Sequence, residues 1–546
     1  MTMTDSGSSH STPVLVIGGG LVGLSAATFL AWWGVPTVLI EKHPGSSAHP
    51  RAIGYTTRTL ELFSAVGIHL PPHGGGGPGK APRTAPRRAR VESLAGQWYE
   101  EYPWSPGGAG QPEIEYSPSR ATAIAQDRLE PILRDKAIEL GADIRLNTEL
   151  IEVAQSDDAV TATLRGSDGH LERLRARYLV AADGAVSPVR EALGIGRSGH
   201  GLLAVQRSIL FRAPLEEYLE RGISQFEIDQ PGLTAFLTTY RDGRWVLMIS
   251  DDRDRDEEAQ RAAIRQAIGR SDIDIELCTT GRWELAALIA DQFRAGRVLL
   301  AGDAAHQLPP NRGGYGANTG IEDAHNLAWK LAAVLSGRSA SELLDTYDAE
   351  RRPIAWLRYE QIFARADYKA RLPTAVGDVP IIDDDAMELG QVYRSTAVLG
   401  AGPELPPALR PDQWAGQPGT RAPHLSVLID DTAGSTLDLF QHGWVLLSEN
   451  QNWQDAAAHA AAELGIDVTF TRVGTDVKTA EPQAFQTAYG VDHDGATLIR
   501  PDGYIAWRAV TAPPDRARAL TDALARVSGT AAQHHHACAH TGTNHD

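Results

Sequence analysis

Between Val14 and Ile40 the chain carries no charged residue, and inside that stretch lies Gly18-x-Gly20-x-x-Gly23. An uncharged run of this length can cross a bilayer. Here Gly18, Gly19, Gly20, Gly23, Gly34 and Pro36 divide it into strand, turn, helix, turn and strand, and no Lys or Arg precedes it as a signal sequence requires. The pattern therefore predicts a buried βαβ unit: a strand over 14–17, a helix ending near Gly34 and a second strand over 37–40. Gly18 permits the tight turn, Gly20 lets a pyrophosphate approach the backbone, and Gly23 lets helix and strand pack closely. The helix start offers free N–H groups and a positive dipole end. Glu41, with Lys42 beside it, ends the second strand, where a carboxylate can accept hydrogen bonds from a ribose diol. A second match, Gly194-x-Gly196-x-x-Gly199, follows a helix-like segment rather than a strand and is set aside.

That unit alone suits NAD or FAD. Two further segments favour the flavin. Tyr178-Leu-Val-Ala-Ala-Asp-Gly184 and Arg297-Val-Leu-Leu-Ala-Gly-Asp-Ala-Ala-His306 are apolar strands that deliver Asp183 and Asp303 to their carboxyl ends. A cofactor with a ribityl chain needs acceptors along its length; an NAD-only dehydrogenase does not. The chain has 546 residues, enough for roughly three or four domains, and a net charge of −18 that repels nucleic acid and anionic membranes. Its two cysteines, Cys278 and Cys538, have no metal or disulfide spacing, so no metal site is expected and a reducing cytoplasm fits.

Further along, residues 71–90 read as a flexible Gly/Pro-rich insertion whose arginines are solvated. A helix is expected at about 126–140, and β-structure from Arg207 to Ser250 includes a two-residue turn at Asp242-Gly243. A charged helix follows at about 255–269, and a long one carries Leu327, Leu331 and Leu335 on one face. Residues 421–528 read as a small α/β domain with strands at 426–429, 444–447 and 468–472 and a hairpin around Pro501-Asp-Gly503. Trp32, Trp33, Trp245, Trp283 and Trp329 are assigned to the core. Residues 1–12 and the His-rich 529–546 are expected to be disordered.

Together the segments GGGLVG, HPRAIGYTTRTLELF, AQDRLEPIL, VAADGAVSPVR and RVLLAGDAAHQLPPNRGGYGANTGIEDAHNLAWKLAAVL resemble the flavoprotein aromatic hydroxylases of the p-hydroxybenzoate hydroxylase fold, over about 13–400. The C-terminal part, with RAPH at 421–424, resembles the thioredoxin-like domain of phenol and polyketide hydroxylases; it lacks a CxxC, which argues for a structural or oligomerisation role. The closest resemblance is to hydroxylases of aromatic polyketides such as anthracyclines. The resemblance implies an α/β fold: an FAD-binding Rossmann-like domain (13–70, 120–200 and 290–400), an inserted β-sheet substrate domain (71–119 and 201–289) and the thioredoxin-like domain (401–528), in a monomer or homodimer.

It also implies non-covalent FAD, NAD(P)H as co-substrate, and hydroxylation of an aromatic ring by a flavin C4a-hydroperoxide formed with O2. Glu41 is implied for the adenosine ribose, Asp303 for the ribityl chain, Asp183 for cofactor and pyridine-nucleotide handling, and Arg51, Gln126 and Arg128 for the pyrophosphate and flavin. The loop from Pro309 to Asn318, with Pro310, Gly316, Ala317 and Asn318, is implied to border the isoalloxazine ring. A helix beginning around Gly320 would point its positive end at the N1–C2 region. Asn311-Arg312 departs from the usual spacing and adds a cation there, which either stabilises a flavin anion or substrate or points into solvent. The catalytic candidates are Arg51, Arg312 and Tyr240, with His200 and Arg244 near the same sheet and His306 assigned to local structure. Baeyer–Villiger oxygenation of a ketone and a flavin reductase remain alternatives, as does a non-catalytic flavoprotein; the GWxWxIP motif of flavin-dependent halogenases is absent.

Overall fold

A computed structural model describes residues 10–49, 51–70, 87–103, 114–310, 314–365, 379–440 and 442–530. Strand β1 (His10–Ile17) is followed by helix α1 (Leu21–Trp32) and strand β2 (Thr37–Ile40). Helix α2 (Thr57–Ala65), helix α3 (Gln126–Glu139), strand β3 (Leu171–Ala181) and strand β4 (Val298–Leu300) complete the parts that matter for the site, with two long helices, α4 (Tyr315–Leu335) and α5 (Asp345–Ala364). Strands β1, β2, β3 and β4 are parallel neighbours in one eight-stranded sheet. Where the four run side by side, over 14–17, 37–40, 178–181 and 298–300, both faces are covered and the residues are buried without alternation: Val14, Leu15 and Val16 are inaccessible to solvent. Each such side chain contributes about 1.5–3 kcal/mol on burial.

The register decides where the motifs go. Ile17 lies opposite both Ile40 and Ala181, and Ala181 opposite Leu300. The strands thus end in line, and Gly18, Glu41, Asp183 and Asp303 all leave the same edge of the sheet. In an open parallel sheet this carboxyl edge is where ligands bind.

A second eight-stranded sheet runs from 306–307 through 276–290, 197–212, 244–249, 233–239 and 223–230 to 87–91 and 98–103. One face carries its own core, with Phe226, Trp245 and Leu247 against Ile264 and Ile268 of the helix Glu257–Ile268. The C-terminal unit holds a four-stranded sheet in the order 468–472, 444–448, 496–499, 505–509, the first pair parallel and the others antiparallel. Helices Trp453–Leu464 and Arg516–Ser528 flank it. Among the described residues, no helix is long and apolar enough to cross a membrane.

Several expectations are corrected. Residues 10–12 are not part of a loose lead-in: they extend β1, pairing with Leu174, Arg175 and Ala176 because β3 is long enough to receive them. The tail likewise starts later, since Gly529 caps the last helix and Thr530 bonds to the Arg338 carbonyl; residues 531–546 lie outside the described residues. Arg87, Arg88 and Arg90 belong to a strand rather than a solvated loop, facing Glu101, Glu227 and Glu100 on its neighbours. Residues 71–86 lie outside the described residues. The turn at Asp242-Gly243 takes in Tyr240 and Arg241 as well. Arg241 adopts φ 60°, the Thr239 hydroxyl accepts its N–H, and Asp242 accepts the Arg244 N–H, so a wider loop satisfies more of the backbone. The long helix begins at Tyr315, not near Gly320, and is buried on nearly all sides rather than one face.

That burial follows from the position of α4 between the sheet and the C-terminal unit. Glu350 on α5 lies at the junction: its Oε1 accepts from Arg500 at 2.6 Å and Ser395 at 2.6 Å, its Oε2 from Arg500 at 2.9 Å, Lys330 at 2.8 Å and Asn326 at 2.8 Å. Asp502 accepts from Arg500 and from the Trp329 indole. Burial depresses the Lys330 ammonium to a pKa of about 8. Burial opposes ionisation of Glu350, but Arg500 and Lys330 outweigh it and hold the carboxyl well below the usual range.

Candidate functional site

The glycine turn is shaped by close approach. Gly18 has φ 104°, and a Cβ there would lie 2.3 Å from the Ala182 carbonyl oxygen; a Cβ on Gly23 would lie 1.9 Å from that of Gly18. Gly20 caps α1 without any side-chain bond, and the nearest atom to a Cβ there is Glu130 Oε1 at 3.9 Å. The start of α1 is therefore uncrowded at Gly20, where a helix end can receive an anion. Glu41 is already oriented: Oε2 accepts the Gly19 N–H at 2.7 Å, and Oε1 accepts that of His43 at 2.9 Å. Lys42, next to it, is exposed.

Asp183 and Asp303 stand on adjacent strand ends. Burial raises the pKa of both. Asp183 Oδ2 accepts the Val189 N–H at 3.1 Å, while its buried Oδ1 has no partner among the described residues. Arg190 fixes the two loops to each other, donating at 3.0 Å to the Ala185 carbonyl on one and at 3.0 Å to that of Ala304 on the other. His306 has the local role expected of it: Nε2 lies 2.6 Å from Asp323, which also accepts from Arg351 and the Gly302 N–H. Burial opposes ionisation of Asp323, but His306 and Arg351 outweigh it and hold the carboxyl down at about 2.

On the other wall, Gln126 Oε1 accepts the N–H groups of Arg51 (3.2 Å) and Ala52 (3.1 Å), and its amide donates to Glu130 at 2.7 Å. Glu130 and Arg190 carry these arrangements yet were not singled out in sequence; Glu130 stands one helical turn from Gln126, which is the signal that could have found it. The Arg51 guanidinium sits over Trp283, 5.6 Å from the ring centroid. Arg128 is exposed and faces Asp242 at 3.9 Å. Arg244 ties the hairpin tip to α3 through Asp127 at 2.7 Å and lies over Tyr240 at 5.3 Å. Burial pushes the Tyr240 hydroxyl up in pKa. His200 packs on Phe363 and Tyr359.

At the start of α4, Gly314 is the N-cap, followed by Tyr315, Gly316 and Ala317; Pro310 is exposed. The side chain of Asn318 is spent on the protein. Oδ1 accepts from the Thr56 N–H (3.1 Å) and the Thr59 hydroxyl (2.7 Å), and Nδ2 donates to the carbonyls of Gly314 (2.7 Å) and Gly54 (3.3 Å). Arg312 lies outside the described residues. Among those described, no group of three or more His, Cys, Asp or Glu could hold a metal.

The crevice matches a flavin dinucleotide in kind: a glycine cradle and helix start for a pyrophosphate, a carboxylate for a ribose, and an unpartnered buried acceptor and a second carboxylate beyond. Comparison with known proteins agrees. Residues 11–361 match the FAD binding domain family, and residues 415–531 the aromatic-ring hydroxylase C-terminal family. The chain belongs to the FAD-dependent aromatic-ring hydroxylases. Its cofactor is FAD, and it is an enzyme. Among relatives of this hydroxylase, a 4-methyl-5-nitrocatechol 5-monooxygenase of Burkholderia sp is 41% identical over 94% of this chain and 97% of that one. A tetracenomycin A2 monooxygenase-dioxygenase of Streptomyces glaucescens is 39% identical over 96% and 98%. The structure of an aklavinone-11 hydroxylase with FAD and aklavinone superposes with a TM-score of 0.85 at 37% identity, covering 96% of this chain and all of that one.

Proposed function

We propose that this hydroxylase uses NAD(P)H and O2 to place a hydroxyl group on an electron-rich aromatic ring, and that its substrate is a polycyclic polyketide phenol. The observation that carries this reading is the full-length likeness to an enzyme whose structure holds both FAD and aklavinone. FAD, when bound, supplies hydride uptake and oxygen activation; the chain supplies orientation and charge. In this proposal Glu41 accepts the adenosine ribose, the Gly18–Gly23 turn and the start of α1 hold the pyrophosphate, and Asp303 accepts the ribityl hydroxyls. The first turn of α4 presents its N–H groups to the pyrimidine edge of the flavin, where about half a positive charge favours an anionic ring.

Tyr240, with its raised pKa, stays protonated at neutral pH, so it orients a substrate by hydrogen bonding and does not take its proton. Arg51 and Arg312 remain the cations that can stabilise a phenolate. The nitrocatechol monooxygenase favours a second reading, a small substituted catechol. Both are tested by anaerobic reduction of the bound flavin by NADPH or NADH with a polycyclic phenol, a nitrocatechol or neither. Strong acceleration by the polycyclic phenol alone is expected; acceleration by the catechol alone supports the second reading. Equal rates without any aromatic would overturn both in favour of a reductase.

A further inference from the structure

The C-terminal unit reaches the cofactor side of α4 through α2. Glu61 on α2 is buried and accepts two guanidinium groups. Arg421, the first residue of RAPH, donates Nε to Oε2 at 2.9 Å and pairs a terminal nitrogen with Oε1. The same nitrogen donates to the Tyr116 carbonyl at 3.1 Å. Arg58, within α2, donates to Glu61 Oε2 at 2.8 Å and to the Asp502 carbonyl at 3.2 Å. At its N-terminal end α2 carries Thr56 and Thr59, the residues that hold Asn318 Oδ1. Asn318 in turn ties down the Gly314 carbonyl, at the N-cap of α4.

The N-terminal half of α2 is thus a link: residues 56–61, about 7.5 Å of helix rise, bear on the first turn of α4 through Thr56 and Thr59 and on the C-terminal unit through Arg58 and Glu61. Burying such ions costs several kcal/mol each in lost hydration, and apolar residues of similar volume would join two units at least as well. What a bidentate carboxylate–guanidinium pair adds is a fixed mutual geometry.

We infer that Glu61 and Arg421 are positioning residues for the flavin, and that their salt bridge sets where the first turn of α4 stands against the ring. The C-terminal unit thereby tunes how strongly the reduced cofactor is held over the oxidised one. The inference rests on the proposed placement of that turn beside the flavin. It follows from the short range of the helix-end field, which acts only within the first turn, so a small displacement changes the stabilisation of an anionic ring.

The test uses full-length holoprotein and reads the midpoint potential of bound FAD against a reference dye, the FAD dissociation constant and the thermal midpoint. Arg421→Lys keeps the charge and loses the fork. Its reduced-over-oxidised affinity ratio is expected to fall about tenfold, which is about 30 mV toward more negative potential. Lys478→Met, which breaks the exposed Lys478–Asp431 pair on the same unit, should match wild type. If Arg421→Lys does not fold, Arg421→Gln keeps a hydrogen bond at the same place, leaves Glu61 paired with Arg58, and is expected to show the same shift. A potential unchanged from wild type, whatever happens to thermal stability, overturns the inference. Asn318→Ala separates the two possible faults. If it shifts the potential while Arg421→Lys does not, only the coupling through α2 is wrong. If neither shifts it, the placement of α4 at the flavin is wrong as well.

Discussion

Replacing Glu350 by Gln removes the anion at the junction of the FAD-binding and C-terminal units while keeping nearly the same volume. Around it stand Arg500, Lys330, Asn326 and Ser395; the two cations can only donate to it, and Arg500 reaches both of its oxygens. The new amide nitrogen must therefore face a donor whichever way it turns, and Asp502 is left as the remaining anion beside two buried cations. Breaking one partner out of a buried ion cluster costs about 3–5 kcal/mol. The lower end applies here, because Lys330 has an escape. Burial already holds its pKa at about 8, and without Glu350 that value falls further, so the amine sheds its proton more readily than in the wild type.

The sign of the pH effect follows. The native variant then binds fewer protons than its unfolded chain across the neutral and mildly alkaline range, so its deficit relative to wild type shrinks as pH rises. Urea denaturation followed by tryptophan fluorescence, with Trp329 as a reporter inside the cluster, measures both quantities. A loss below about 1 kcal/mol, the range of an exposed pair, or a deficit that grows with pH, would refute the reasoning.

Glu41→Ala removes a charge-assisted acceptor, so FAD titration of the apoprotein should show a loss of about 1.5–3 kcal/mol, roughly tenfold to a hundredfold in affinity. Gly23→Ala places a methyl group 1.9 Å from the Gly18 carbonyl oxygen, so the purified variant should carry no flavin colour; normal FAD content would contradict the close packing of α1 on β1. Asp323 has a native pKa of about 2, below its unfolded value. Its stabilisation, on the order of 2–3 kcal/mol, is complete above the unfolded pKa and is lost as pH falls through about 2. Acid unfolding of Asp323→Asn should therefore depend less steeply on pH in that range.

The cofactor crevice was legible in sequence because its signals are local. Gly18, Glu41, Asp183 and Asp303 each follow an apolar strand end, Gly23 lies in the first turn of the helix after Gly18, and a parallel register brings such strand ends to one edge. Asn318 was legible as a position but not in its role, since its partners, Thr56, Thr59 and Gly54, are remote in the chain. The junction was not legible at all. Lys330, Glu350, Arg351 and Arg358 look like the solvated residues of two long helices, and Arg500 and Asp502 look like ordinary turn chemistry. They are buried because a third unit closes over α4 and α5, and nothing in helical periodicity reports that. The wider loop at Asp242-Gly243 has a similar origin, since Arg244 is drawn to Asp127 on α3.

Turnover under isotopically heavy dioxygen, with FAD, NADPH and a polycyclic phenol, tests the central claim most directly. The account predicts a product that carries one heavy oxygen atom as a new ring hydroxyl, with NADPH consumed in step. Consumption of NADPH with the heavy oxygen recovered only as hydrogen peroxide, or a product in which the oxygen has been inserted beside a ketone, would contradict it.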